Sequence, residues 1–147
     1  MPTQFRINGQ EIDGRDKVVE WICNGLNKEA ILFVEKFGRC LAGRDPEHRK
    51  YNALTTSQIR NIYGEVTRMR MKGFDPAAFL LLKPRLVYAT SRSGNRTDGS
   101  IDFKEVFVRA IDAVLEAEDE NEQAQRFERF ADFFEAVLAY HRAHGGK

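Results

Sequence analysis

The chain of 147 residues is short of everything that builds disulfide, collagenous or membrane architecture. It has two cysteines, four prolines, one tryptophan and three histidines. Eleven glycines and four prolines exclude a collagen-like or Pro-rich disordered chain. No run approaches the roughly 18 uncharged apolar residues of a membrane span. The opening Met1-Pro2-Thr3-Gln4-Phe5-Arg6 lacks a basic segment followed by an apolar one, so a secretory leader is not expected and the cytoplasm is the default. Cys23 and Cys40 both stand among apolar neighbours and read as small core residues in a reducing compartment, with no metal site assigned to them. Net charge of one sign is also lacking, at +1 overall.

The charge is nevertheless unevenly spread. Residues 1–38 hold five Lys/Arg against six Asp/Glu, residues 39–96 twelve against four, and residues 97–147 six against twelve. This predicts an anion-binding face on one side and an acidic face on the other, or halves that pair with each other in the fold. With 42 % hydrophobic and 31 % charged residues, the chain has the composition of an ordinary single globular domain.

Apolar residues recur with helical period nearly throughout. Residues 1–14 are the exception, an N-terminal arm in which Gln4–Gly9 can be a short strand tied down by Phe5 and Ile7. Asp16 is the expected cap of a first helix ending near Gly25, and Asn27 of a second, stopped at Gly43. Residues 43–54 are a polar, basic connection. Thr55 and Gln58 form a capping box for a third helix ending at Gly73. Asp75-Pro76 starts a fourth, whose Phe79-Leu80-Leu81-Leu82 is expected deep in the core and which Pro84 must break or kink. Ser91–Ser100 is expected to be a mobile loop. Asp102 and Glu105 read as the start of the next helix, and the acidic stretch 116–122 leads into the last, striped by Phe127, Phe130, Phe134 and Val137. Phe133 and Tyr140 lie off that stripe and indicate either a central helix packed on two sides or a protein-contact surface. The fold class is all-α: one compact domain of five or six helices with a phenylalanine-rich core and no repeat.

Catalytic patterns are missing. There is no HExxH, no phosphate loop ending in GK[ST], no GxSxG and no calcium loop in the acidic run. His141, on the apolar stripe, reads as a core or C-terminal-turn histidine bonded to a carbonyl. The chain is therefore read as a binding protein without catalytic residues, cofactor or metal.

The candidate ligand contacts are cations. On the third helix Arg60, Asn61, Gly64, Arg68 and Lys72 fall opposite the apolar stripe. Gly64 costs about 1 kcal/mol against alanine in mid-helix and leaves room for a phosphate. Arg70 falls within the stripe and is set apart. Around Pro84 stand Lys83, Arg85, Tyr88 and Arg92, with Arg96 beyond; Arg49 and Lys50 lie in the basic connection. Cations interleaved with an aromatic suit a ribose-phosphate backbone, since the cations release counterions and a tyrosine stacks on a base. Tyr88 is flanked by Leu86 and Val87 and equally fits a core position. No base-reading module is present, so any RNA contact should be indifferent to sequence.

Three stretches, Leu54–Arg60 (LTTSQIR), Leu81–Arg92 (LLKPRLVYATSR) and Phe130–His141 (FADFFEAVLAYH), together resemble the small subunit of the type III-A CRISPR effector, the Csm complex, over roughly residues 54–143. The resemblance implies a helical subunit in antiviral defence with no catalytic activity. It implies stacking of several copies alongside other Csm subunits, on the groove where crRNA pairs with target RNA. By position it makes Arg60, Lys83, Arg85 and Arg92 RNA contacts and the aromatic ending a fold or subunit contact. A helical adaptor that binds only protein is the alternative.

Overall fold

The computed structural model describes residues 3–92, 94 and 96–147. It is helical apart from a two-stranded antiparallel ribbon, β1 (Gln4–Ile7) and β2 (Gln10–Asp13). The helices are α1 (Gly14–Asn24), α2 (Lys28–Leu41), α3 (Thr56–Lys72), α4 (Pro76–Leu80), α5 (Leu82–Ser91), α6 (Asp98–Leu115) and α7 (Glu120–Ala143).

The expected strand is thus one half of a hairpin. Asn8 and Gly9 both have positive φ, 52° and 80°, the turn geometry in which Asn-Gly matches the twist of paired strands. Phe5, Ile7 and Ile12 point from the ribbon into the core. Asp13, not Asp16, caps α1, its carboxylate accepting from the Arg15 N–H at 2.9 Å; Asp16 lies in the first turn. Asn27, Thr55 with Gln58, and Asp75 with Pro76 start their helices as expected.

The helix expected after Asp75 is two helices, which raises the number of segments to seven. They join at Leu81, three residues before Pro84. A proline ring clashes with the carbonyl four residues earlier, here Leu80, so the break falls upstream of the ring. Pro84 then occupies the first turn of α5, where its missing N–H would have had no partner anyway. The break also corrects the expectation for Phe79–Leu82. Phe79 and Leu82 are buried, but Leu80 and Leu81 are 58 % and 53 % exposed at the junction, where the chain changes axis and nothing covers them.

The start of α6 differs as well. Thr97 is the cap and its hydroxyl accepts from the Ser100 N–H, so Asp98–Ser100 are helical and Gly99 and Ser100 buried. Of the expected loop, Ser93 and Asn95 lie outside the described residues.

The core forms around α7. Its Phe127 and Phe130 pack on Phe79 and its Phe134 on Tyr63, while Phe133 packs on Trp21, so the two-sided reading of the last helix holds. Burying each such ring contributes about 1.5–3 kcal/mol, with edge-to-face pairs such as Phe79–Phe130 adding to it. α2 crosses α7 closely at Gly38, where a β-carbon would stand 2.6 Å from Tyr140 Cβ. His141 is buried with Nε2 2.6 Å from the Leu54 carbonyl, the bond expected of it. Arg129 of α7 donates to the carbonyls of Ile22 and Cys23, closing the end of α1.

Candidate nucleic-acid interface

α3 and α5 pack side by side because Ile59, Ile62 and Val66 on one and Leu82 and Leu86 on the other are buried together. Their outer flanks leave a groove of about 400 Å³, lined by Ser57, Asn61 and Glu65 of α3 and by Arg85, Tyr88 and Arg92 of α5. The helical period accounts for this alignment, since Arg85, Tyr88 and Arg92 are spaced by three and four residues and share one face.

Tyr88 is 66 % exposed, not core. Leu86 turns inward while Val87 and Tyr88 follow round to the outside, an ordinary consequence of 100° steps on a short helix covered on one side. The Arg92 guanidinium carbon lies 5.9 Å from the Tyr88 ring centroid. Arg85 is 3.4 Å from Glu65, and Arg68, one turn along α3, pairs with the same carboxylate. Glu65 is thus outnumbered by the guanidinium groups about it. Asn61 is exposed on the α3 wall of the groove; Arg60, next to it in sequence but not part of the lining, is exposed and makes no ion pair among the described residues. Gly64 adds no bulk, with open space where a β-carbon would point.

Other expected contacts lie elsewhere. Lys83 is half-buried and turned to α6, its Nζ 2.8 Å from the Asp112 carboxylate. Arg49 and Lys50 are exposed beside a separate cleft of about 630 Å³ walled also by His48, Tyr51, Asp98 and Asp102. Arg96 is exposed ahead of α6. Lys72 is exposed near the end of α3.

The pairing of halves holds for part of the basic segment. Arg70 reaches α7, bonded to Asp132 and lying 3.2 Å from Glu135 and 3.4 Å from Glu128. Lys83 pairs with Asp112. Among the described residues these two alone, of the twelve mid-chain cations, pair with the acidic final third.

Two polar clusters escaped sequence reasoning. The Tyr51 hydroxyl donates to Asp102 at 2.6 Å, although 51 residues separate them. Burial raises the Asp102 carboxyl, against the lowering effect of that bond, and burial followed by the Asp102 charge raises the Tyr51 phenol. Next to them Cys40, Asp45 and His48 bring one thiol, one carboxylate and one imidazole within 4.8 Å of each other. Burial, then the charges of Asp45 and Asp102, push the Cys40 thiol up to about 12. The spacing Cys40-x₄-Asp45-x₂-His48 is visible in the sequence, but only the reversal at Gly43, with φ of 75°, turns it into a cluster.

No described helix is long and apolar enough to cross a membrane. No curated protein and no solved structure matches the chain. The family model for Csm2 Type III-A matches residues 41–147, taking in α3–α7, the groove and all three stretches that carried the resemblance. The chain therefore belongs to the Csm2 family, the small subunit of the type III-A CRISPR effector complex.

Proposed function

We propose that this subunit is a non-catalytic RNA-binding scaffold: several copies stack beside the other Csm subunits and hold the crRNA–target RNA backbone without reading its sequence. The observation that carries this is the α3/α5 groove. Arg85 and Arg92 stand on one wall with Tyr88 exposed between them, Asn61 stands on the other, and Arg60 is exposed beside Asn61 in sequence on that second helix. Guanidinium groups there neutralise phosphates and displace counterions, while the ring stacks on whichever base passes. Arg68 and Arg96, and Arg49 with Lys50 at their own cleft, extend the positive field that draws RNA in. The acidic final third supplies the opposite charge for head-to-tail contact between copies. A cytoplasmic location follows from the same role.

The exposed Met71, Leu80 and Leu81 favour a protein-contact surface, which a stacking subunit and an adaptor that binds no RNA would both need. Single-stranded RNA binding across a salt series, with the free chain and the assembled complex, separates the two. Losing one phosphate contact lowers the slope of log K against log [salt] by about 0.7. Arg60→Ala is expected to do so, and Lys83→Ala, already paired with Asp112, to leave the slope almost unchanged. No RNA binding by the free chain or by the assembled complex would sink the RNA reading and leave the adaptor.

A further inference from the structure

The inner end of the basic connection gathers two buried carboxylates beside a buried thiol and an imidazole. The Asp45 carboxylate is 6 % exposed, yet no Lys or Arg among the described residues forms an ion pair with it. It accepts from the Glu47 N–H at 3.2 Å and lies 2.7 Å from His48 Nδ1. Asp102, also 6 % exposed, accepts from the Tyr51 hydroxyl. The Cys40 thiol is fully buried in the last turn of α2. A carboxylate taken out of water without a cation costs several kcal/mol, so a fold that gathers two beside a thiol and an imidazole leaves the place of a cation open.

We infer that Cys40, Asp45 and His48 form a zinc site, with a water from the adjoining cleft as fourth ligand. Thiolate, imidazole and carboxylate together select zinc over the oxygen-seeking magnesium and calcium. Bonds of about 2.0–2.3 Å to a tetrahedral ion put ligand atoms some 3.3–3.8 Å apart, and donor atoms now within 4.8 Å of one another reach that by side-chain rotation. His48 lines the cleft of about 630 Å³, so the ion and its water have a path in. On binding, the Cys40 S–H gives its proton to solvent as the Zn–S bond forms. The proton that holds His48 Nδ1 to Asp45 passes through solvent to Nε2, which frees the Nδ1 lone pair for the ion, and the Asp45 carboxylate exchanges that contact for the metal. The ion's charge makes thiol ionisation favourable in a pocket that otherwise opposes it. Tyr51, bonded to Asp102, lines the same cleft. The site would fasten residues 42–54, and with them Arg49 and Lys50, to the end of α2.

The test uses the full chain, reduced and stripped with chelator, titrated with Co²⁺ and then Zn²⁺. Expected are one equivalent of Co²⁺, a thiolate-to-cobalt charge-transfer band with tetrahedral d–d absorption, loss of both on adding Zn²⁺, and a melting temperature that rises with metal concentration. His48→Ala, a partly exposed position outside the core, is expected to fold and to weaken binding at least tenfold; Asp45→Asn and Cys40→Ser should remove the tetrahedral spectrum, and Cys23→Ser should change nothing. Absence of saturable uptake, uptake that survives His48→Ala, or a band that depends on Cys23 overturns the assignment.

Discussion

Tyr88 of α5 and Arg92, the residue that caps its C-terminus, stand together outside the core, the guanidinium 5.9 Å from the ring centroid. A tyrosine 66 % exposed contributes little to folding, and its cation–π neighbour is itself exposed. Replacing it therefore separates binding from stability. Tyr88→Ala is expected to weaken RNA binding by about 1–3 kcal/mol, the worth of one base–aromatic stack. Thermal unfolding should shift by less than about 0.5 kcal/mol, as for other surface changes. Fluorescence anisotropy with labelled RNA and a melting curve check both; equal losses in the two would assign Tyr88 to the fold.

Gly64 and Gly38, both inside helices, should respond oppositely to alanine. A β-carbon at Gly64 meets nothing within 4 Å, so Gly64→Ala gains helix propensity of about 1 kcal/mol. That corresponds to roughly 2–4 °C in melting temperature for a chain of this size. If a phosphate approaches α3 at Gly64, the same variant binds RNA less well. At Gly38 a β-carbon would lie 2.6 Å from Tyr140 Cβ and 2.9 Å from the His141 backbone nitrogen. Gly38→Ala should force α2 and α7 apart and destabilise by about 1–3 kcal/mol despite its better propensity.

Arg70 links α3 to three carboxylates of α7 while remaining partly exposed. Pairs in such surroundings are worth little singly and more as a network. Arg70→Ala should therefore cost about 1–2 kcal/mol, and the cost should shrink in high salt as screening grows. RNA affinity is expected to hold, since the side chain is turned away from the groove to α7. A melting series at low and high salt, with anisotropy alongside, tests both halves.

Burial, assisted by the Arg142 charge and opposed by the bond to Leu54, lowers the His141 pKa. The folded protein thus holds fewer protons at this residue than the unfolded chain below the ordinary histidine value of about 6.5. Stability contributed by the neutral ring is complete above that pH and falls as pH drops through the window beneath it, down to the folded pKa. His141→Gln should flatten the difference between pH 7 and pH 5 while costing about 1–3 kcal/mol at pH 7 if the Leu54 carbonyl loses its partner. Asp102 titrates in both proteins and cancels in the comparison. Parallel denaturant titrations across that range provide the measurement.

Much of the chain was legible residue by residue. Asn27, Thr55 with Gln58, and Asp75 with Pro76 are local signals, complete within one helical turn, and each starts its helix in the structure. The phenylalanine stripe of α7 likewise needs only the helical period to be read. Local signals also mislead where two compete. Asp16 and Asp102 resemble caps, but Asp13 and Thr97 have the extended backbone a cap requires. Asp102 is instead carried inward to Tyr51.

The amino-acid order by itself determined a mainly helical domain, its phenylalanine core, the surplus of cations between residues 39 and 96 and the motifs shared with the Csm2 family, because caps, periodicity and charge are properties of neighbours along the chain. Only the tertiary structure decided which cations remain available, through contacts between residues far apart in sequence. Packing α3 against α7 commits Arg70 to the fold, and packing α5 against α6 commits Lys83. The same packing leaves Arg92 with Tyr88 at an open groove and Arg60 exposed on α3. Whether a side chain faces solvent, a carboxylate or a neighbouring helix depends on where the second helix lies, and no periodicity within the first contains that.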